Sequence, residues 1–126
     1  MGIIHKRFEE GQTWRWEGVE VEQYTSNQAT KEVLVGPKDG ATNFVIRYFT
    51  IPPHGFSSLD NHAHDHGVVV MRGRARLQLG ERFEEVREGD AIYIPGLETH
   101  QFENLTDEPF TFLCVVPPKP SRPEER

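Results

Sequence analysis

Four histidines stand in two short segments of this chain, and imidazole is the commonest side-chain ligand of divalent transition metals. The first segment reads Asp60-Asn61-His62-Ala63-His64-Asp65-His66. The second sets His100 behind Gly89, Asp90 and Pro95 and ahead of Asn104. In an extended chain alternate side chains share a face, so Asp60, His62, His64 and His66 would all point one way. His100 opens another strand-like piece, and two strands of one barrel can aim their imidazoles at one interior point. Three imidazoles with an optional carboxylate suit Fe(II), Mn(II), Ni(II), Cu(II) or Zn(II), and the residues do not choose among these. Coordination positions left open would take a substrate or O2. If Asp60 is not a ligand, it would hold a ring N–H of His62 or His64. The competing reading is a histidine-rich surface tract that binds metal only adventitiously.

The elements that must position these groups are strands. Glu32–Val35, Phe44–Ile51, Gly67–Met71, Ala75–Leu79, Arg82–Val86, Ala91–Ile94 and Phe110–Val116 are apolar or alternating runs of strand length. Glycine, proline, Asn and Asp clusters separate them, as at Gly36-Pro37-Lys38-Asp39-Gly40 and Pro95-Gly96. Many short strands with regular turns argue for an all-β sandwich or barrel. No stretch has a sustained 3.6-residue period, so no long helix is expected. Trp14 and Trp16 alternate in a strand-like piece, Trp14–Val21, and are expected to pack on a sheet face or a subunit interface. Arg47 and Tyr48 stand mid-strand, and only one can face inward. Arg47 is read as the outward one; turned inward, it would be placed to grip a ligand carboxylate. Phe102 is read as an interior packing aromatic, and His5 and His54 as ordinary surface or turn residues.

Composition narrows the classes. A chain of 126 residues fits one domain with a core of its own. Its hydrophobic share of 36% is below the usual and suits a thin-cored or oligomeric β-protein. The net charge of −6 argues against nucleic acid as a partner. The single cysteine, Cys114, excludes an internal disulfide, points to a reducing compartment, and is read as a buried structural residue. The first residues lack the apolar core of a signal peptide, and Lys6 stands where a myristoylation signal wants Ser or Thr. No apolar run is long enough to span a membrane. A soluble, cytoplasmic protein is the expectation.

The second histidine segment resembles the second motif of the cupin superfamily. That motif runs glycine, five residues, proline, one residue, glycine, two residues, histidine, three residues, asparagine. Here Gly89, Pro95, His100 and Asn104 fall at those offsets, while Leu97 takes the second glycine's slot and a glycine falls at Gly96 instead. Gly73 matches the glycine that closes the first motif. The resemblance covers roughly Phe44 to Pro117. It implies an all-β double-stranded β-helix, a jelly-roll cupin barrel, with one divalent transition metal inside. Laid back from Gly73, the family pattern puts the ligands at Asp60, His62, His66 and His100. A second register pairs His62 with His64 as the family's His-x-His and shortens the loop before His66. The expected organisation is residues 1–43 as N-terminal strands and loops on the barrel, 44–117 as the cupin core, and 118–126 as a disordered tail.

Function is less determined, because cupins include dioxygenases, decarboxylases, isomerases, lyases and binders without turnover. The leading expectation is a metal-dependent enzyme on a small organic molecule, with dioxygenase chemistry first. The alternatives are redox-neutral isomerase, lyase or decarboxylase chemistry, with His64, Asp60 or Tyr93 as base, and a non-catalytic small-molecule binder. A homodimer is expected, since jelly-roll edges need cover; neither nucleic acid nor membrane is expected as a partner.

Overall fold

A computed structural model of the chain describes residues 1–11, 13–24 and 29–118. Its strands are β1 (Glu22–Gln23), β2 (Thr30–Val35), β3 (Val45–Ile51), β4 (His66–Arg72), β5 (Arg74–Leu79), β6 (Arg82–Arg87), β7 (Ala91–Ile94), β8 (His100–Glu103) and β9 (Phe110–Val116). One 3-10 turn, Pro37–Asp39, interrupts them. The strands form a six-stranded sheet, β1-β2-β3-β9-β4-β7, and a three-stranded sheet, β6-β5-β8. All pairings are antiparallel. This is the all-β jelly-roll arrangement, with an apolar core between two curved sheets.

Alternation along the strands decides what the core contains. Phe49 and Ile51 of β3, Val68 and Val70 of β4, Ala75 and Leu77 of β5, and Phe110, Phe112 and Cys114 of β9 belong to one buried cluster. Its centre is aromatic: Phe112 lies 4.5 Å from Phe102 and 5.0 Å from Phe49, centroid to centroid, both pairs stacked. Phe102 is thus the packing aromatic that its position suggested. β9 is the keystone strand, hydrogen-bonded to β3 on one side and β4 on the other.

Two motif residues are explained by backbone geometry. Gly73 turns β4 into β5 at φ +81°, and a Cβ there would lie 2.6 Å from the Pro109 carbonyl oxygen. Only glycine fits such a turn. Asn104 is fully buried. Its Nδ2 donates to the carbonyls of Ile51, Pro52 and Glu108 at 2.8–3.1 Å. Its Oδ1 accepts from the Thr106 amide and hydroxyl. Asn104 therefore clamps the turn between β8 and β9 onto the end of β3.

The outer face of the large sheet is covered by the chain's own beginning. Trp14 stacks on Tyr48 at 6.1 Å, and Trp16 meets the same ring edge-on at 4.9 Å. The expected strand over Trp14–Val21 does not form. Trp16 makes only an isolated bridge to Arg7, and Gly18 turns the chain at φ +73°. The ring contacts with Tyr48, rather than a ladder, hold this segment. His5 helps: its Nδ1 donates to the Glu17 carbonyl at 2.9 Å and its Nε2 to Asp39 at 2.7 Å. That bond to the Asp39 carboxylate raises the imidazole's pKa and favours its charged form. His54 has a similar surface partner in Asp107, at 2.7 Å.

Under this cover lies Glu32, with no exposed surface and the Arg15 guanidinium 3.1 Å from its carboxylate. Burial pushes its carboxyl above the usual range, and Arg15 pulls it back down. Replacing Arg15 by Ala should cost roughly 2–4 kcal/mol at neutral pH, because a buried charge loses its partner. The folded pKa lies above the unfolded one, so the folded state takes up the proton first as pH falls, and the deficit should shrink on acidification. Urea midpoints at about pH 7.5 and about pH 5 measure both effects. Arg15→Met/Glu32→Leu should recover most of the loss.

Candidate metal centre

The two histidine segments meet through the backbone. Asp60 and His100 form an antiparallel bridge, with the Asp60 N–H donating to the His100 carbonyl at 3.1 Å and the reverse bond at 2.8 Å. The chain from Asp60 to Asp65 is a loop with a bend at Ala63-His64, not the extended run that the alternation suggested; β4 begins only at His66. The loop is tied to the turn after β7. The Leu97 amide donates to the His62 carbonyl, and the Gly96 amide to Asp65 Oδ1 at 2.9 Å. Tyr93 donates its hydroxyl to the other oxygen of Asp65 at 3.0 Å.

The four rings gather as a result. His66 is the hub: its centroid lies 4.8 Å from His64, 4.9 Å from His100 and 5.6 Å from His62. His62 lies 6.1 Å from His100 and stacks on His64 at 5.0 Å. Asp60 Oδ2 is 3.5 Å from His62 Nε2. A cavity of about 260 Å³ opens at this cluster, and Asp60, His62, His66 and His100 line it. His64 does not; it faces a shallower exposed depression beside Asp65 and Tyr93.

The protonation of His66 suits ligation. Burial, with the neighbouring imidazoles and Arg47 adding to it, lowers the His66 pKa to about 3. His66 is therefore neutral at physiological pH and keeps a lone pair to donate. His100 Nδ1 lies 2.9 Å from the Glu98 carbonyl, which can only accept. Nδ1 therefore carries a proton, and in the tautomer that binds a metal the lone pair is on Nε2. Neutral imidazoles beside one carboxylate are a donor set for a borderline divalent metal. Among the described residues, however, no three of these side chains stand closed to the spacing of a metal shell.

Three further polar side chains, Arg47, Tyr24 and Ser58, line the cavity. Arg47 faces inward, correcting its assignment to the surface. Its parity gives the reason: Arg47 shares a face with the buried Val45, Phe49 and Ile51, while Tyr48 turns out to the tryptophans. That signal was present in the alternation. Tyr24 and Ser58 also line the cavity. Ser58 donates to Asp60 Oδ2, and so Tyr24, 2.7 Å away, donates its hydroxyl to Ser58 Oγ. Nothing in the sequence spacing announces this chain of hydroxyls. Cys114 is buried as expected, but it also forms part of the wall. Burial raises its thiol pKa, so it rests protonated.

Comparison with known proteins now bears on this barrel. The family model described as "Cupin domain" (Cupin_2) matches residues 47–116. The chain belongs to the cupin family. It is 34% identical over 117 residues to a Rhodospirillum rubrum protein named 1-methylthio-D-xylulose 5-phosphate methylsulfurylase, covering 88% of this chain and 74% of that one. The fold matches the crystal structure of a cupin-2 domain from Rhodospirillum rubrum with a TM-score of 0.79. Identity there is 32%, and the match covers 91% of this chain and 80% of that one. It also matches the polyketide cyclase RemF from Streptomyces resistomycificus, with a TM-score of 0.71 and 32% identity, over 79% of this cupin and 74% of that chain. No helix among the described residues is long and apolar enough to cross a membrane.

The departure at position 97 has a structural cost. Leu97 adopts φ +70°, a left-handed conformation that strains any residue with a side chain, and its own side chain is exposed. The neighbouring glycine is needed where it is, because a Cβ on Gly96 would run into the Ala63 carbonyl oxygen. Leu97→Gly should stabilise this cupin by roughly 1 kcal/mol, less whatever freedom glycine adds to the unfolded chain. Gly96→Ala should push on Ala63 and disturb the histidine loop. Thermal melts of both variants, with histidine NMR shifts for Gly96→Ala, test this pair of outcomes.

Proposed function

We propose that this cupin is a metal-dependent enzyme that moves a proton on a small carbonyl compound without net oxidation. His62, His66 and His100 would hold one divalent transition metal, which would supply a Lewis acid for a substrate oxygen. Asp60 accepts a proton at Oδ2, the atom that Ser58 already addresses. Tyr24 and Ser58 orient that carboxylate and offer a hydroxyl path for the proton. The observation that carries this reading is the position of Asp60, between the Tyr24–Ser58 chain and the His62 ring, on the cavity wall.

The structure narrows the choice of base. His64 does not line this cavity, and Tyr93 is exposed and bound to Asp65 on the outside of the sheet. Asp60 is the candidate that remains. The dioxygenase reading uses the same three histidines; a carboxylate set to accept a proton through a hydroxyl chain is the feature that favours redox-neutral chemistry. The relatives support enzymatic action on a small molecule: one is named as a methylsulfurylase of a ketose phosphate, another as a polyketide cyclase.

Metal content of the purified protein, measured by mass spectrometry, is the first test. One equivalent of a divalent transition metal is expected, lost in His62→Ala/His100→Ala. The second test follows deuterium uptake from solvent into a panel of hydroxyketones and ketose phosphates, under anaerobic conditions. Asp60→Asn should slow uptake about 10²–10⁴-fold while metal content holds, and Tyr24→Phe should slow it less. Activity that needs O2 would restore the dioxygenase reading. Loss of metal from Asp60→Asn would make Asp60 a ligand rather than a base.

A further inference from the structure

Arg47 is a cation inside the barrel without an anion to match. The β3–β9 register sets it directly opposite Cys114, with both side chains on the cavity face. Its guanidinium lies 5.0 Å from the Phe49 ring centroid, and Nη2 donates to Cys114 Sγ at 3.2 Å. A neutral thiol is a weak acceptor. Arg47 Nε is buried and has no hydrogen-bond partner. Among the described residues no carboxylate lies within ion-pair distance of it. The one carboxylate on the cavity wall, Asp60, is engaged by Ser58, Tyr24 and His62 instead.

A charge held against apolar walls is costly unless something pairs with it. The apolar part of the wall includes Phe49, Val68, Phe112 and Cys114, and its polar part, at the histidines and Asp60, holds no anion paired with Arg47. The weak partners that Arg47 does have fix its plane, and the remaining guanidinium N–H donors are free to form a fork. A planar fork of this kind suits an oxyanion with two oxygens side by side. The protein as a whole carries a net charge of −6, so an anionic ligand gains nothing from the general surface and needs this local cation. The cavity, at about 260 Å³, is large enough for a small metabolite and too small for a polymer.

We propose that Arg47 is the substrate-anchoring residue of this cavity, and that it binds an oxyanion group, a carboxylate or a phosphate monoester. The substrate then spans the cavity, its anionic end on Arg47 and its reacting end at the histidines. This deepens the enzymatic reading above and rests on it only in taking this cavity as the substrate site.

The test is calorimetric titration of the protein as purified with malonate and, separately, with inorganic phosphate, at constant ionic strength. Wild type should bind at least one of them at a single site, and the preferred anion identifies the substrate's group. Arg47→Met should weaken that binding at least tenfold with metal content and melting temperature held. Arg47→Lys should fall between, because a point charge keeps the attraction and loses the fork. His62→Ala/His100→Ala separates this inference from the metal reading. Anion binding that survives there and fails in Arg47→Met supports Arg47 whatever the metal content shows. Failure of wild type to bind either anion, or binding by Arg47→Met as tight as wild type, overturns it. So does binding lost from the histidine variant and kept by Arg47→Met, which would put the anion on the metal.

Discussion

Two backbone hydrogen bonds between Asp60 and His100 join the two histidine segments of this cupin. They bring a loop that precedes β4 against the start of β8, although the two segments are far apart in sequence. Once that bridge is made, little freedom remains. His66 is carried by the first residue of β4, His100 by the first residue of β8, and His62 by a loop whose carbonyl is held from Leu97. Side chains placed on strand ends are positioned by the sheet itself, which is stiffer than any loop. The bend at Ala63-His64 then decides that His62 turns to the cavity and His64 away from it.

The sheet separates two environments by parity alone. On β3, Arg47 and Phe49 belong to the cavity, while Tyr48, between them, belongs to the aromatic cover. On β9, Phe112 and Cys114 face the same way as Arg47. A one-residue slip of β3 against β9 would exchange these sets, sending the guanidinium outside and the tyrosine in. The aromatic cover of Trp14 and Trp16 on Tyr48 therefore does more than fill space: it adds to the buried apolar set in favouring the register that keeps the cation in the cavity.

Most of the scaffold was legible in the sequence. The strands over Ala91–Ile94 and Phe110–Val116 fall where the apolar runs put them, and β5 and β6 meet at the Gly80-Glu81 turn. The reason is that strand length and alternation are local properties, visible in any single segment. The glycine and asparagine spacing carried the barrel topology by resemblance, and Gly73 and Asn104 show why those residues are needed. What local reading lost was long-range. Trp14–Val21 alternates like a strand but finds no ladder. The extended run from Asp60 to His66 is broken by a loop held by long-range bonds from His100, Tyr93, Gly96 and Leu97. Tyr24 reaches the neighbouring pair Ser58 and Asp60 from a distant part of the chain, and no spacing rule links it to them. Arg47 is a different case: its parity with Phe49 and Ile51 was visible, and a mid-strand arginine was read by its charge instead of its position.

Both tryptophans of the chain lie on the outer side of the large sheet, gathered on Tyr48, and neither borders the cavity. The thickness of a sheet therefore stands between the protein's strongest fluorophores and anything bound among the histidines. Intrinsic emission from this protein reports whether the N-terminal segment is seated and the register intact. Neither indole touches a group bound in the barrel, so the emission reports on the seating of the cover and the imidazole resonances report on the site.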